Sequence, residues 1–219
     1  MLELLLKGGV LVIPILLCSV FALAIFLERW IRLTLLRRRG RGLAQKVASL
    51  VKSGEDSEAH NLADKSDSPM GRVLAQALEV KNQSQETLDA IIAHATEEEL
   101  RGLARYLQAL ATIGNIAPLL GLLGTVVGMI KAFMVIQEMG GKVNAAVLAG
   151  GIWEAMLTTA LGLAVALPVM VAHSYLVGRV DNYEAQLQDG AVVFVKSVGY
   201  RIHGHNGFHK HTHTHSHAH

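Results

Sequence analysis

The sequence predicts an all-α membrane protein with three transmembrane helices and long helices that extend into the cytoplasm. Three observations carry this. Three long runs contain no Asp, Glu, Lys or Arg; charge crowds into the segments between and after them; and those charged segments repeat apolar residues every three or four positions. The overall apolar share, 51% of 219 residues, does not decide the class, because soluble proteins reach it too. The distribution decides it.

The first run is Gly8 to Leu27, bounded by Lys7 and Glu28. As a helix its length matches the roughly 30 Å hydrocarbon core of a bilayer. The second is Tyr106 to Ile130, between Arg105 and Lys131, and the third is Ala155 to Gly178, between Glu154 and Arg179. A chain this short cannot wrap three wholly apolar helices within itself, so a soluble core is a poor alternative. Ala22-Leu23-Ala24 resembles a signal-peptidase site, but it lies inside the apolar run and Glu28-Arg29-Trp30 follows directly. A retained anchor fits better. The lone cysteine, Cys18, sits in this run and reads as a small apolar residue.

Direction follows from the positive-inside rule. Arg29, Arg32, Arg37, Arg38, Arg39 and Arg41 follow the first run, whereas only Glu3 and Lys7 precede it. The N-terminus is therefore expected outside and the C-terminus in the cytoplasm. Residues 1–30 hold an external segment and the first span, 31–105 a cytoplasmic helical region, 106–130 the second span and 131–153 an external loop. The third span follows at 154–178, then a cytoplasmic helix at 179–202 and a disordered tail at 203–219. Trp30 and Trp153 fall at the expected interfaces, and the net charge of +2 is too small to argue for nucleic acid.

Within the cytoplasmic region, Leu43, Val47, Leu50 and Val51 recur at helical spacing, and breaks are expected at Ser53-Gly54 and at Ser66-Asp67-Ser68-Pro69. Ser84 reads as an N-cap with Glu86 in the first turn. No breaker separates this stretch from the second span, so one long helix is expected to run through Arg105 into the membrane. After the third span, Val180, Tyr183, Leu187, Ala191, Phe194 and Val198 form an amphipathic stripe on a helix continuous with the span. It is expected to pack on the long helix, with a membrane-surface position as the alternative. Glu97-Glu98-Glu99 reads as a solvated face, and His60 and His94 as isolated surface or packing histidines. No pairing of nucleophile and base and no phosphate loop occurs, so an enzyme is not expected.

The membrane runs carry unusual small and polar residues. Gly114, Gly121, Gly124 and Gly128 mark the second, with Thr125 and a kink-forming Pro118. In lipid, small residues let helix backbones approach closely, which is the expected role of these glycines and of Gly162. The third run opens at Glu154, with Thr158 one turn below on the same face, then Thr159 and a kink-forming Pro168. Glu154 is either an interfacial anchor or, with the threonines, the start of a polar path facing a bundle interior. His173 reads first as a snorkelling side chain. No Asp, Glu, Lys or Arg lies deep in any run. A chain that moved protons by itself would need a titrating group there, so that group is expected on another subunit.

Gly114-Asn115-Ile116-Ala117-Pro118-Leu119-Leu120-Gly121-Leu122-Leu123-Gly124-Thr125-Val126-Val127-Gly128-Met129 resembles the second-span signature of the MotA/TolQ/ExbB proton channel family. Gly150-Gly151-Ile152-Trp153-Glu154-Ala155-Met156-Leu157-Thr158-Thr159-Ala160-Leu161-Gly162-Leu163, with Pro168, resembles the third-span signature of its ExbB and TolQ branch. The resemblance implies a bacterial inner-membrane homopentamer, seated in membrane lipid, whose second and third helices line a pore. A single-span ExbD- or TolR-like partner would sit in that pore and carry the proton on its own Asp, with a TonB-like protein beyond it. Thr125, Glu154 and Thr159 match the family's pore-lining polar positions, and protons are the coupling ion, with no resident cofactor. The implied function is to energise TonB-dependent outer-membrane import, with a TolQ-type envelope role or a gliding stator as the alternative. Trp153 and His173 depart from residues common in the family at those positions.

The C-terminus carries His203, His205, His209, His211, His213, His215, His217 and His219, mostly alternating with small polar residues. Such density suits Zn, Ni or Cu. A native metal-binding tail, a passive polar tail and an engineered tag are the three readings. A metal transporter using this tail and His173 is a distant alternative, since it should also place acidic or His residues deep in several spans.

Overall fold

A computed structural model of the chain describes residues 10–40, 42–139 and 145–208. The described residues form α-helices and no strand. They are α1 (Val12–Arg39), α2 (Leu43–Ser53), α3 (Asp56–Lys65), α4 (Pro69–Val80), α5 (Gln85–Ala104), α6 (Leu107–Glu138) and α7 (Ala145–Phe208). Three stretches are long and apolar enough to cross a membrane: one in α1, one in the stretch containing α6 and one in α7. The chain divides into two compact units. The first comprises Met1–Trp30 and Arg105–Gly178, and the second Ile31–Ala104 and Arg179–His219.

The first unit has an inside-out surface. Its buried residues are mostly small, among them Ala22, Ala117, Ala132, Ala155 and Ala166, while Phe21, Leu119, Leu122, Phe133, Met156, Leu167 and Val171 are exposed. Helices apolar all round belong in lipid, where association rests on close packing rather than on hiding hydrocarbon from water. Pro118 and Pro168 both lie inside uninterrupted helices. Residues 131–138 and 145–153, expected in an external loop, are helical, because nothing in 131–138 stops α6.

One expectation fails here. The run from α5 into α6 is not one helix: α5 ends at Ala104 and α6 begins at Leu107. Tyr106 adopts a left-handed conformation with φ 69°, unusual for a non-glycine residue. Two guanidiniums stack on its ring, Arg29 at 4.8 Å and Arg105 at 4.9 Å from the centroid. Arg29 is only 1% exposed and pairs with Glu28 at 2.8 Å. Cation–π contacts of this kind offset the local backbone cost. The break is thus set by tertiary contact and has no local breaker.

The second unit is a polar-surfaced helical cluster. Gly54 ends α2 with φ 86°, and the Glu55 N–H reaches back to the Leu50 carbonyl at 3.0 Å. Ser68 caps α4, accepting from the Gly71 N–H at 3.1 Å, with Pro69 at the first helical position. Ser84 caps α5, accepting from the Thr87 N–H at 3.2 Å. The stripe Val180, Tyr183, Leu187, Ala191, Phe194 and Val198 is buried. Gly190 lets α7 approach Met70 and Ala44. Arg72 grips Glu99 through two contacts of 2.6 Å, tying α4 to α5. Burial, partly opposed by the Arg72 charge, pushes the Tyr183 phenol up to about 12. The helix of the C-terminal segment runs on to Phe208, past the boundary expected at 202. Extending an existing helix costs little compared with starting one.

Candidate functional site

The site is built on an antiparallel seam between α6 and α7. From Gly114 onward the buried positions on α6 are all small: Gly114, Ala117, Gly121, Gly124, Gly128 and Ala132. The residues met across the seam on α7 run backwards: Val169 and Met170 at Gly114, Gly162 at Ala117 and Gly121, Thr158 at Gly124, Ala155 at Gly128 and Gly151 at Ala132. The register is regular, so that seven residues along one helix match seven back along the other. A Cβ added at Gly162 would lie 2.6 Å from the Ala117 carbonyl oxygen and 3.0 Å from the Gly121 Cα. A Cβ at Gly121 would lie 3.0 Å from the Thr159 Cα, and one at Gly128 3.1 Å from the Ala155 Cβ. At Gly114 the neighbour is the flexible Met170 side chain at 3.1 Å, the softest of these contacts. The glycines therefore bring the two backbones nearly into contact, as their sequence spacing predicts.

The hydroxyls are satisfied within the seam or beside it. Thr159 Oγ1 donates across it to the Gly121 carbonyl at 3.0 Å. Thr125 Oγ1 donates to Leu122 O at 2.7 Å on its own helix, and the side chain is half-buried. Thr158 stands apart from the expected polar path. It is 2% exposed, its Oγ1 donates to Ala155 O at 2.7 Å, and its side chain covers Gly124. The absence of a Cβ at Gly124 makes room for it, so it packs the seam of its own chain.

Glu154 faces the end of α6. Its Oε1 lies 3.5 Å from Lys131 Nζ. Lys131 was not among the expected site residues, although the sequence carries the signal. It is the first charge after the second apolar run, Glu154 is the last before the third, and an antiparallel pair joins those two ends. His173 is half-buried in α7. Among the described residues no group of three or more His, Cys, Asp or Glu is placed to hold a metal. Positions 209–219, which include His209, His211, His213, His215, His217 and His219, lie outside the described residues, as do the side chains of His203 and His205.

In sum chemistry, the seam offers a rigid helix pair with sparse hydroxyls and a charge pair at one end. Neither helix holds a titratable carboxyl at depth. Such a wall can pass or guide a proton but cannot carry it on a group of its own.

Comparison with known proteins agrees with this architecture. The model of the MotA/TolQ/ExbB proton channel family matches residues 65–189. A Synechocystis protein named biopolymer transport protein ExbB-like 1 is 37% identical over 90% of this chain and 80% of its own length. ExbB-like 3 of the same organism is 32% identical over 75% of this chain and 79% of its own. The biopolymer transport protein ExbB of Pseudomonas putida is 30% identical over 83% of this chain and 57% of its own.

Proposed function

Since this chain belongs to the MotA/TolQ/ExbB proton channel family, we propose that it is the ring subunit of an inner-membrane motor driven by the proton-motive force. With an ExbD-like partner it energises TonB-dependent import across the outer membrane. The chain is a multi-pass inner-membrane protein of a transport family, not an enzyme. The N-out, C-in orientation, the homopentamer and the partners belong to the proposal.

The observation that carries it is the α6–α7 seam. Backbones meeting at Gly121 and Gly162 make a stiff wall. On this reading five such walls enclose a pore. Thr125 and Thr159 offer hydrogen bonds there without trapping charge, and Glu154 stands at the external mouth. The proton crosses on the partner's carboxyl, because this chain has none at depth. Each proton moving through 100 mV makes available about 2.3 kcal/mol, which a rigid ring can convert into motion of the partner. Thr158 holds the wall together. The relatives' names favour the import role over a TolQ-type one. The test is partner-dependent transport by Glu154→Gln and Thr159→Val. Both should lose most of their activity while retaining wild-type oligomer mass, and full activity in both would refute the pore assignment.

The proposal extends to the His-rich tail, of which positions 209–219 lie beyond the described residues. Its eight histidines from His203 to His219 suit Zn, Ni or Cu, which would link this motor to metal uptake. Calorimetric titration of the full chain with zinc should show tight sites that vanish when residues 203–219 are deleted. No binding below millimolar zinc would remove the idea.

A further inference from the structure

Lys131 and Glu154 sit beside close backbone contacts of the seam. There Gly128 meets Ala155, and Gly151 meets Ala132 so closely that an added Cβ at Gly151 would lie 2.6 Å from the Ala132 Cβ. Those contacts fix both backbones, so the 3.5 Å Lys131–Glu154 pair is set by helix register. Both side chains keep access to the outside, at 53% and 30% exposure. The next charge on α6 is Glu138, seven residues further, and residues 8–27 of the first run contain no charge at all.

A sodium or potassium ion gives up its water only to several oxygens, and anionic rings at a pore mouth gather such ions. A carboxylate already matched by an ammonium offers little net charge and few open lone pairs. A proton has smaller needs: one carboxylate oxygen or a chain of water suffices. From this geometry we propose that Lys131 is a specificity residue. It holds Glu154 in a neutral pair, so that the mouth admits protons and does not collect Na⁺ or K⁺. The inference rests on the proton-path reading above and adds to it a residue and an ion selectivity.

The test uses the full chain co-reconstituted in liposomes with a single-span partner. A trapped pH dye reports proton uptake under an imposed pH gradient, with and without external NaCl, and choline chloride balances the ionic strength. Wild type and Lys131→Arg should take up protons at rates that NaCl leaves unchanged. In Lys131→Met and Lys131→Gln, NaCl should slow uptake at least threefold, because unpaired Glu154 carboxylates gather Na⁺. Because Glu154→Gln itself slows uptake, the double variant K131M/E154Q is read by sodium binding, followed as ²³Na relaxation: the binding gained in Lys131→Met should be lost again, which a merely structural role for Lys131 would not predict. Native masses equal to wild type show that assembly is intact. Sodium-insensitive uptake in both neutral variants, or sodium binding that persists without Glu154, overturns the role of Lys131. Absence of proton uptake in the wild type itself refutes the proton path, and this role with it.

Discussion

Replacing Gly162 by alanine should loosen the wall of the proposed pore. The new methyl would stand 2.6 Å from the Ala117 carbonyl oxygen, 3.0 Å from the Gly121 Cα and 3.2 Å from the Gly121 nitrogen. All three are backbone atoms, so no rotamer change relieves the clash. Carbon and oxygen settle at roughly 3.3 Å or more, so the helices must part locally by about 0.7 Å. Overpacking of this kind costs about 1–3 kcal/mol. The 3.0 Å bond from Thr159 to Gly121 O spans the same gap, and weakening it adds about 0.6 kcal/mol. The contact cost is thus about 1.6–3.6 kcal/mol, offset by up to about 1 kcal/mol of helix propensity that any such Gly→Ala change gains, so the net loss is about 1–3 kcal/mol. Gly150→Ala is the matched control, since a Cβ there meets nothing within 4 Å. It should gain up to about 1 kcal/mol from helix propensity. Unfolding by SDS from mild detergent, followed by Trp153 fluorescence in a Trp30→Phe background, measures both at one protein concentration. If Gly162→Ala matches Gly150→Ala within about 0.5 kcal/mol, an ordinary precision for such comparisons, the close-contact reasoning is wrong.

Other expectations follow from individual contacts. Thr158→Val should leave transport nearly intact, because its hydroxyl serves only Ala155 O within the seam; Thr159→Val should not, and a transport assay on both checks the contrast. Glu99→Gln should destabilise the α4–α5 pairing by about 1 kcal/mol, kept modest by the exposure of Arg72, and a thermal melt reads it. Tyr183 binds its proton more tightly folded, at about 12, than its ordinary value of 10.0. Its contribution to stability is therefore full below pH 10 and lost as pH rises through about 12. Denaturation across that window should show the slope in wild type and lose it in Tyr183→Phe.

The membrane architecture was legible in the sequence because the bilayer imposes length and charge rules that three runs obey openly. The close-packing glycines were legible for a similar reason: with no side chain, their spacing alone reports where backbones meet. Ser84 announced its cap, and Ser53-Gly54 and Ser66-Asp67-Ser68-Pro69 their breaks, through local chemistry. The break at Tyr106 left no such trace, since its left-handed backbone depends on Arg29, far away in the chain. The packing of Thr158 was hidden for a related reason. It shares a helix face with Glu154, but the opening above Gly124 draws its side chain into the seam. The Lys131–Glu154 pair could have been found by treating the two runs as an antiparallel hairpin and joining the charges at their ends.

The measurement that tests the central claim most directly is native mass spectrometry of the purified chain in detergent without any partner. The ring account predicts a single assembly of five times the 23.6 kDa chain, retained in Glu154→Gln and weakened in Gly162→Ala. A monomer or dimer under the same conditions would contradict the ring, and a monomer or dimer that keeps stoichiometric metal would turn attention to His173 and the histidine tail.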